Sequence, residues 1–542
     1  MKKRMQKILA MLLAAGMTFS LAACTSSTDP DDGNSSAPES SAVDNSETPG
    51  GASSETLTVA INAEPDALYP QYAYSSSVGV VSTLMYDTLV SWDAENNCAV
   101  PNLATDWEWV DDTHFRLDLR DDVYFSDGDQ LTAEDVVFSF QVADYTGSGS
   151  SSYSRIFDLD NCVAEGDFTV VLALNSPYPI VADILAADVY SIISKDAVEA
   201  AGGEDAAARA PVNLGTGKYV FSEWVEGQYI KLVRNEDYWN QDELPYYQEV
   251  MLTFISDNTS RAMAVQSGDA DVALNLGTTQ VEGLEADSNV TVSVENTSTN
   301  RTMYMNCSDP ALSDVNVRTA LWYLIDAEAI RAIANSGFGE LSETSFSQFC
   351  AVYAAPPADF TRTVDVEAAV ELLNTAGYNE SNPLQLSLLM PSEGDNETMA
   401  QLVQAQLEAS GCIKVEIELL EIMTFLNQLW SGDYQLTITS GDQYDYEKLL
   451  YMVDGRIDPA TASGGAQYDD AEFQVLLDEC YTETDENARR ELYAEIQAYL
   501  LENHIVIGIC NQVAVTAYSA DITGITINVA GVPDVTGMHP TG

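Results

Sequence analysis

Histidine, the side chain most often used for proton transfer and metal binding near neutral pH, occurs only at His114, His504 and His539 in this 542-residue chain. The three are far apart, and no His-Glu-X-X-His, Gly-X-Ser-X-Gly or complete EF-hand loop is present; Asp158-Leu159-Asp160 lacks the rest of such a loop. With 85 acidic residues, chance carboxylate pairs are unavoidable, and no pair is singled out as the two a glycosidase needs. Gly217-Lys218 has one feature of a phosphate loop. However, Val212 stands at the required first glycine, and Tyr219 stands where a Ser or Thr must hold magnesium. These residues imply no catalytic set, metal centre or cofactor, which leaves binding as the chemistry to look for. Ser440-Gly441-Asp442-Gln443-Tyr444-Asp445-Tyr446 follows a run that reads as a strand, and ligands of open α/β folds gather beyond strand carboxyl ends. The same residues also make an ordinary Asp-rich turn, and both readings stand.

The elements that must position such a segment are legible in several places. Phe115, Leu117 and Leu119 alternate with Arg116, Asp118 and Arg120, the period of a half-buried strand. Ser126-Asp127-Gly128-Asp129 reads as a turn. Thr132 and Asp135 have capping-box spacing, with Leu131 and Val136 at the flanking staple positions. Asp365 to Tyr378 reads as a helix with Asp365 near the N-cap and Gly377 as its left-handed stop, and Thr398 to Ser410 as another. Ile413, Val415, Ile417 and Leu419 alternate with charged residues. With a short helix around Phe425 to Trp430 and a strand from Tyr434 to Thr439, they predict a β-α-β unit and a parallel pair. Leu492, Ile496 and Leu500 form a stripe of core packing on the last large helix.

The N-terminus bounds where the protein works. Lys2, Lys3, Arg4 and Lys7 precede an apolar run from Ile8 to Met17, too short to span a bilayer. Leu21-Ala22-Ala23-Cys24 resembles the lipobox of bacterial lipoproteins, in which residues 1–23 are removed and Cys24 carries diacylglycerol. Two acyl chains anchor stably where one does not. Thr25 to Glu55 is rich in Ser, Asp, Pro and Gly and reads as a disordered linker. By coil scaling it spans on the order of 30 Å. The formal charge of −63 excludes nucleic acid as a partner, since phosphate binding demands a basic surface. Such acidity serves solubility and favours cationic ligands at long range. After lipidation of Cys24 seven cysteines remain, at 98, 162, 307, 350, 412, 480 and 510, with no C-x-x-C pair. An odd number leaves at least one unpaired, and buried free thiols are expected for most.

The order of residues from Leu103 to Phe140, Leu-Ala-Thr-Asp-Trp-Glu-Trp through Phe-Ser-Asp-Gly-Asp-Gln-Leu-Thr-Ala-Glu-Asp-Val, resembles the signature of the family 5 extracytoplasmic solute-binding proteins, the peptide- and nickel-binding components of ABC transporters. Met85-Tyr86-Asp87-Thr88-Leu89-Val90 is similar to a helix of that family, Gly215-Thr216-Gly217-Lys218-Tyr219 to its Gly-Thr-Gly block, and Arg318 to Ile330 to a long helix of its second lobe. The resemblance runs from about residue 56 to 525. It implies an α/β fold of the two-lobe periplasmic-binding-protein-like type (type II). Lobe I is expected over 56–298 and 512–542, with an inserted subdomain at about 90–200, and lobe II over 299–511. Two crossings, near Asn296 to Thr302 and Ile509 to Gln512, then make a hinge. It also implies a monomeric, non-enzymatic lipoprotein of an ABC importer that captures di- or oligopeptides and delivers them to a permease pair and its ATPases. In peptide-binding relatives a Trp-X-Gly-Asp segment pairs its Asp with the peptide α-ammonium. Asp442 matches that Asp, but Thr439 stands in place of the Trp. Ser440, Tyr444 and Tyr304 are the expected neighbours of the ligand. A nickel chelate, an oligosaccharide or an amine in the same fold, a peptide-sensing receptor and a surface hydrolase are the alternatives.

Overall fold

The computed structural model describes residues 55–542 apart from 66, 73–75, 94–97, 146–154, 204–205, 208–212, 358–359, 393–394, 441–446, 459–463 and 529. The leader 1–23, Cys24 and the linker up to residue 54 therefore lie outside the described residues.

Sixteen strands carry the architecture: β1 (Thr56–Ile61), β2 (Val90–Asp93), β3 (Cys98–Pro101), β4 (Ala104–Asp111), β5 (His114–Leu119), β6 (Val163–Ala164), β7 (Thr169–Ala173), β8 (Tyr219–Val225), β9 (Tyr229–Arg234), β10 (Glu249–Phe254), β11 (Val272–Ala273), β12 (Val290–Met305), β13 (Leu384–Pro391), β14 (Ile413–Leu420), β15 (Leu436–Ser440) and β16 (Val506–Ser519). Ten of them form one mixed sheet in the order β14-β13-β15-β12-β16-β11-β1-β10-β9-β8, and β4-β5-β7-β6 form a separate antiparallel layer. The long strands β12 and β16 pair antiparallel through the middle of the large sheet and join its two ends. Helices cover both ends, so strands such as Leu57, Val59 and Ile61 of β1 and Leu384, Leu386 and Leu388 of β13 bury their alternate residues almost completely.

In the small layer, Phe115, Leu117 and Leu119 are 2%, 0% and 6% exposed, which is the face their alternation predicts. Gly128 takes φ +97° in the following turn. The Asp135 carboxylate then accepts from both the Thr132 N–H (2.9 Å) and its hydroxyl (2.7 Å), ahead of the helix Ala133–Tyr145. Its other oxygen accepts from the Lys195 N–H, 60 residues on, so one local cap also ties two helices together. The helix Val366–Thr375 starts on the Asp365 side chain, and Gly377 follows at φ +95°, both as expected.

Several expectations are corrected. The residues after Met85 leave the helix Ser76–Met85 rather than continue it. Asp87 instead turns inward, where its carboxylate accepts from Thr216 Oγ1 (2.8 Å), Trp239 Nε1 (3.2 Å) and Tyr238 OH (3.2 Å). Burial raises the Asp87 pKa against the pull of those donors. Gly215 and Gly217 close this knot, because a Cβ on either would sit 2.0 Å from the Met85 carbonyl oxygen or 2.3 Å from its carbon. The Gly-Thr-Gly block thus serves backbone packing and cradles no phosphate. The single helix expected over Arg318 to Ile330 is two, Val315–Leu324 and Ala327–Ala334. It breaks because Asp326 accepts from the Ala329 N–H and starts the second. The helix expected at Thr398 runs over Asn396–Glu408. Strands β14 and β15 do share a direction, but both pair with β13, which lies between them. All seven cysteines among the described residues are free, six of them buried and Cys98 exposed.

Candidate functional site

The centre of the sheet is where positions far apart in sequence converge. The β12–β16 register slips between Asn296 and Asn300 and again between Arg301 and Thr302, the irregularity of β-bulges that bend and twist a pair. Thr297, Asn300, Thr302 and Asn511 are at most 3% exposed there, and a buried amide must find partners. Asn511 Nδ2 reaches Asn296 Oδ1 (3.1 Å), Thr297 O (3.2 Å) and Gln512 O (2.7 Å). Asn300 Nδ2 reaches Ser342 Oγ (2.9 Å), Thr344 O (2.7 Å) and Thr302 Oγ1 (3.2 Å). Each strand is therefore pinned at its irregular point by one asparagine. No sequence pattern announced either, because each acts on chain tens to hundreds of residues away.

Strand β15 flanks β12 antiparallel, placing Arg301 opposite Ser440 and Tyr304 opposite Thr437. Two of the expected ligand neighbours, Ser440 and Tyr304, are thereby brought onto adjacent strands. Asp442 and Tyr444 lie outside the described residues, as does the side chain of Ser440. Tyr304 is wholly buried and directs its hydroxyl to Met452 Sδ at 3.7 Å; burial drives its pKa upward. It belongs to the same apolar cluster as Phe115, Phe140, Tyr178 and Ile184 of the first part of the chain and Leu450, Val453, Tyr493 and Val506 of the last.

Beyond β15 the helix Glu447–Tyr451 begins. The Arg155 guanidinium stands 4.6 Å from the Tyr451 ring centre and 5.6 Å from that of Tyr178, and Tyr451 stacks on Tyr481 at 5.2 Å. A cation close to aromatic rings of two distant chain segments is attracted to both and so ties those segments together. Sequence reasoning passed over Arg155. The one signal was scarcity, 22 basic residues against 85 acidic, which makes each enclosed arginine worth locating. Next to it in the fold, Asp454 is fully buried and is held by Arg456 Nη2 at 2.7 Å and Tyr481 OH at 3.3 Å. Among the described residues no cluster of three or more His, Cys, Asp or Glu could hold a metal ion, and no helix is long and apolar enough to cross a membrane.

Residues 99–455 match the family model described as bacterial extracellular solute-binding proteins, family 5 Middle. The chain is 24% identical over 487 residues to the probable D,D-dipeptide-binding periplasmic protein DdpA of Escherichia coli (strain K12), covering 88% of this chain and 92% of that one. Its fold is similar to that of the periplasmic binding protein DppA of Helicobacter pylori in complex with the peptide STSA. The TM-score there is 0.75 at 23% identity, with 90% of this chain and 98% of that one covered. NikA of Staphylococcus aureus in complex with Ni(L-His)2 is similar at a TM-score of 0.70 and 20% identity, over 88% of this chain and 98% of that one. The architecture is accordingly the two-lobe, type II periplasmic-binding-protein-like α/β fold.

Proposed function

The chain belongs to the bacterial extracellular solute-binding proteins of family 5, and from that premise we propose that it is the substrate-binding lipoprotein of an ABC importer for di- or oligopeptides. The single observation that carries the peptide reading is agreement among relatives that match nearly the whole chain, DdpA by its name and DppA by its bound STSA peptide. In this reading the family's task is capture and release, not turnover. Cys24 anchors the chain on the extracytoplasmic face, and the linker to residue 55 lets it reach a permease pair with its ATPases.

The lobes are assigned to 56–298 with 512–542 and to 299–511, with a subdomain at about 90–200 in the first. The asparagine-pinned irregularities of β12 and β16 supply two strands on which these halves turn. Asp442 is assigned the peptide α-ammonium, a charge that a carboxylate matches when both leave water. Ser440, Tyr444 and Tyr304 are assigned to the surrounding wall. The Ni(L-His)2 complex of the similar NikA supports a metal chelate as the second reading.

Native mass spectrometry of residues 52–542, which form one compact unit, followed by denaturing release, tests both. A ladder of peptide masses is expected. A single nickel-containing or other non-peptide mass overturns the peptide assignment.

A further inference from the structure

One face of the separate layer β4-β5-β7-β6 is packed under a helix. Phe115, Leu117, Val170 and Leu172 share an apolar cluster with Val136 and Phe140 of the helix Ala133–Tyr145. On the other face Glu108 of β4, Arg116 of β5, Val171 of β7 and Val163 of β6 lie abreast, one from each strand. That face opens into a cleft of about 800 Å³, which these residues line together with Trp109 and Val110. Packing alone would hide apolar groups, yet Trp109, Val110 and Val163 are 41%, 58% and 46% exposed. Trp109 is the one exposed tryptophan among the described residues, and its ring is held edge-on by Phe115 at 5.0 Å. A fixed aromatic ring left open beside other apolar groups marks a contact surface.

The charge around the cleft has one sign to spare. Glu108, Asp111, Asp158 and Glu165 all line it. The two basic residues that line it are already taken, Arg116 by Asp118 at 2.9 Å and His114 by Asp111 at 2.8 Å. Glu108 and Glu165 hold no ion pair among the described residues and act on Arg116 only through their charge. Such a rim attracts a cation and repels an anion. A second copy of the chain brings the same net charge of −63, and phosphate polymers and anionic lipid are repelled in the same way. Spacing narrows the occupant further. Glu108 stands on one outer strand, β4, and Glu165 directly follows the other, β6. Three inter-strand spacings separate these strands, roughly 14 Å, the reach of about four extended residues. Val171 and Val163 lie between the two carboxylates, and the open Trp109 ring can take a cation on its face.

We propose that this face of the small sheet is a docking surface for a basic, extended segment of a partner polypeptide, in which two cationic side chains about four residues apart flank an apolar one. The probe is the peptide Lys-Ser-Val-Ser-Lys, blocked at both ends, against a control with Glu in place of each Lys. It is titrated into the soluble protein while the tryptophan indole N–H resonances are followed. The Trp109 resonance is identified by its absence in Trp109→Phe, or as the indole signal most broadened by a soluble paramagnetic agent. It is expected to shift saturably with the Lys peptide and not with the Glu peptide. Glu108→Gln combined with Glu165→Gln, both at exposed positions that the fold does not need, is expected to weaken this binding about five-fold, the effect of two exposed ion pairs. No saturable shift, an equal response to both peptides, or unchanged affinity in the double variant overturns the proposal. Because the readout is at Trp109, a probe that enters the solute position instead leaves this resonance unmoved and also overturns it. A shift with chitotetraose and none with the Lys peptide replaces the polypeptide by a sugar polymer. A shift with protein concentration alone replaces it by a second copy of the chain.

Discussion

At the scale of single residues, charge out of water decides what a side chain can do. Asp442 is assigned an ammonium because it matches the Asp that takes this role in the peptide-binding relatives the sequence resembles, and a carboxylate neutralises an ammonium when both leave water. Asp442→Asn keeps the shape and removes the charge, so peptide affinity should fall roughly 10-fold or more, given about 1.5–3 kcal/mol for a charged hydrogen bond. Calorimetry returning the wild-type affinity would remove Asp442 from the site. His504 shows the same physics away from it. It adopts φ +47°, lies 5.1 Å from the Trp322 ring and near Tyr323, and shares a 3.1 Å hydrogen bond with Thr319. Burial first, and Arg318 second, lower its pKa to about 4. The unfolded chain therefore binds the proton first as pH falls from about 6.5, and the native state loses stability until about pH 4, below which the effect levels off. His504→Asn tolerates the left-handed backbone and should flatten the fall in urea midpoint between pH 7 and 4.5; an unchanged slope would assign that fall to other groups. Asp442 could be named from the sequence because a motif surrounds it. Arg155, Asn300 and Asn511 could not, since nothing in their own neighbourhoods marks them and their partners arrive from other parts of the chain.

Elements were readable where local physics fixes them. The Phe115-Leu117-Leu119 strand, the Gly128 turn and the Asp365 cap each depend on a few adjacent residues, and each is found as expected. The Thr132–Asp135 box shows where local reading stops, because half of the Asp135 carboxylate serves the distant Lys195 N–H. Asp135→Ala should accordingly cost more than Thr132→Ala, about 2 kcal/mol against about 1, read as the difference between their urea midpoints; equal losses would reduce Asp135 to a local cap. Order in the sheet was not readable, since the residues of β14 and β15 say nothing of β13 coming between them. Nor was the break at Asp326, whose N–H and carbonyl are both taken by the distant Gln406 amide beside the local cap on Ala329, or the departure from helix after Met85, which follows from partners elsewhere. The glycine block gives the sharpest case. Gly215→Ala places a methyl group 2.0 Å from the Met85 carbonyl oxygen, a backbone atom that cannot swing aside, and 2.7 Å from the buried Tyr86 ring. A loss of about 3 kcal/mol is expected, at the upper end of overpacking effects, while Gly283→Ala, with open space at its Cβ, should not destabilise. Matching denaturation curves for the two would refute the packing role.

At the scale of the molecule, the two ends of the sheet are joined by just two long strands, while apolar side chains from residues 89–192 and 449–506 share one cluster. Whole-chain resemblance made the two-lobe plan legible, yet which contacts hold the lobes against each other lay beyond it, because such contacts carry no repeat or spacing. With the lobes assigned as proposed above, Arg155 is one of them, set 4.6 Å over Tyr451 of a segment nearly 300 residues later. A part-enclosed cation over an aromatic ring contributes about 1 kcal/mol. That energy exists only while the two segments are together, so its loss should be felt in leaving the bound state rather than in reaching it. Encounter is set by diffusion and by the long-range field of a chain with net charge −63, which one substitution barely alters. Arg155→Met keeps the apolar stem and removes the charge. Stopped-flow measurement with a bound peptide should then show the off-rate rising about five-fold, with the on-rate within a factor of two of wild type. Raising salt should slow association of cationic peptides in both proteins alike. An unchanged off-rate would mean that the apolar cluster alone holds the closed form and that Arg155 only rests against it.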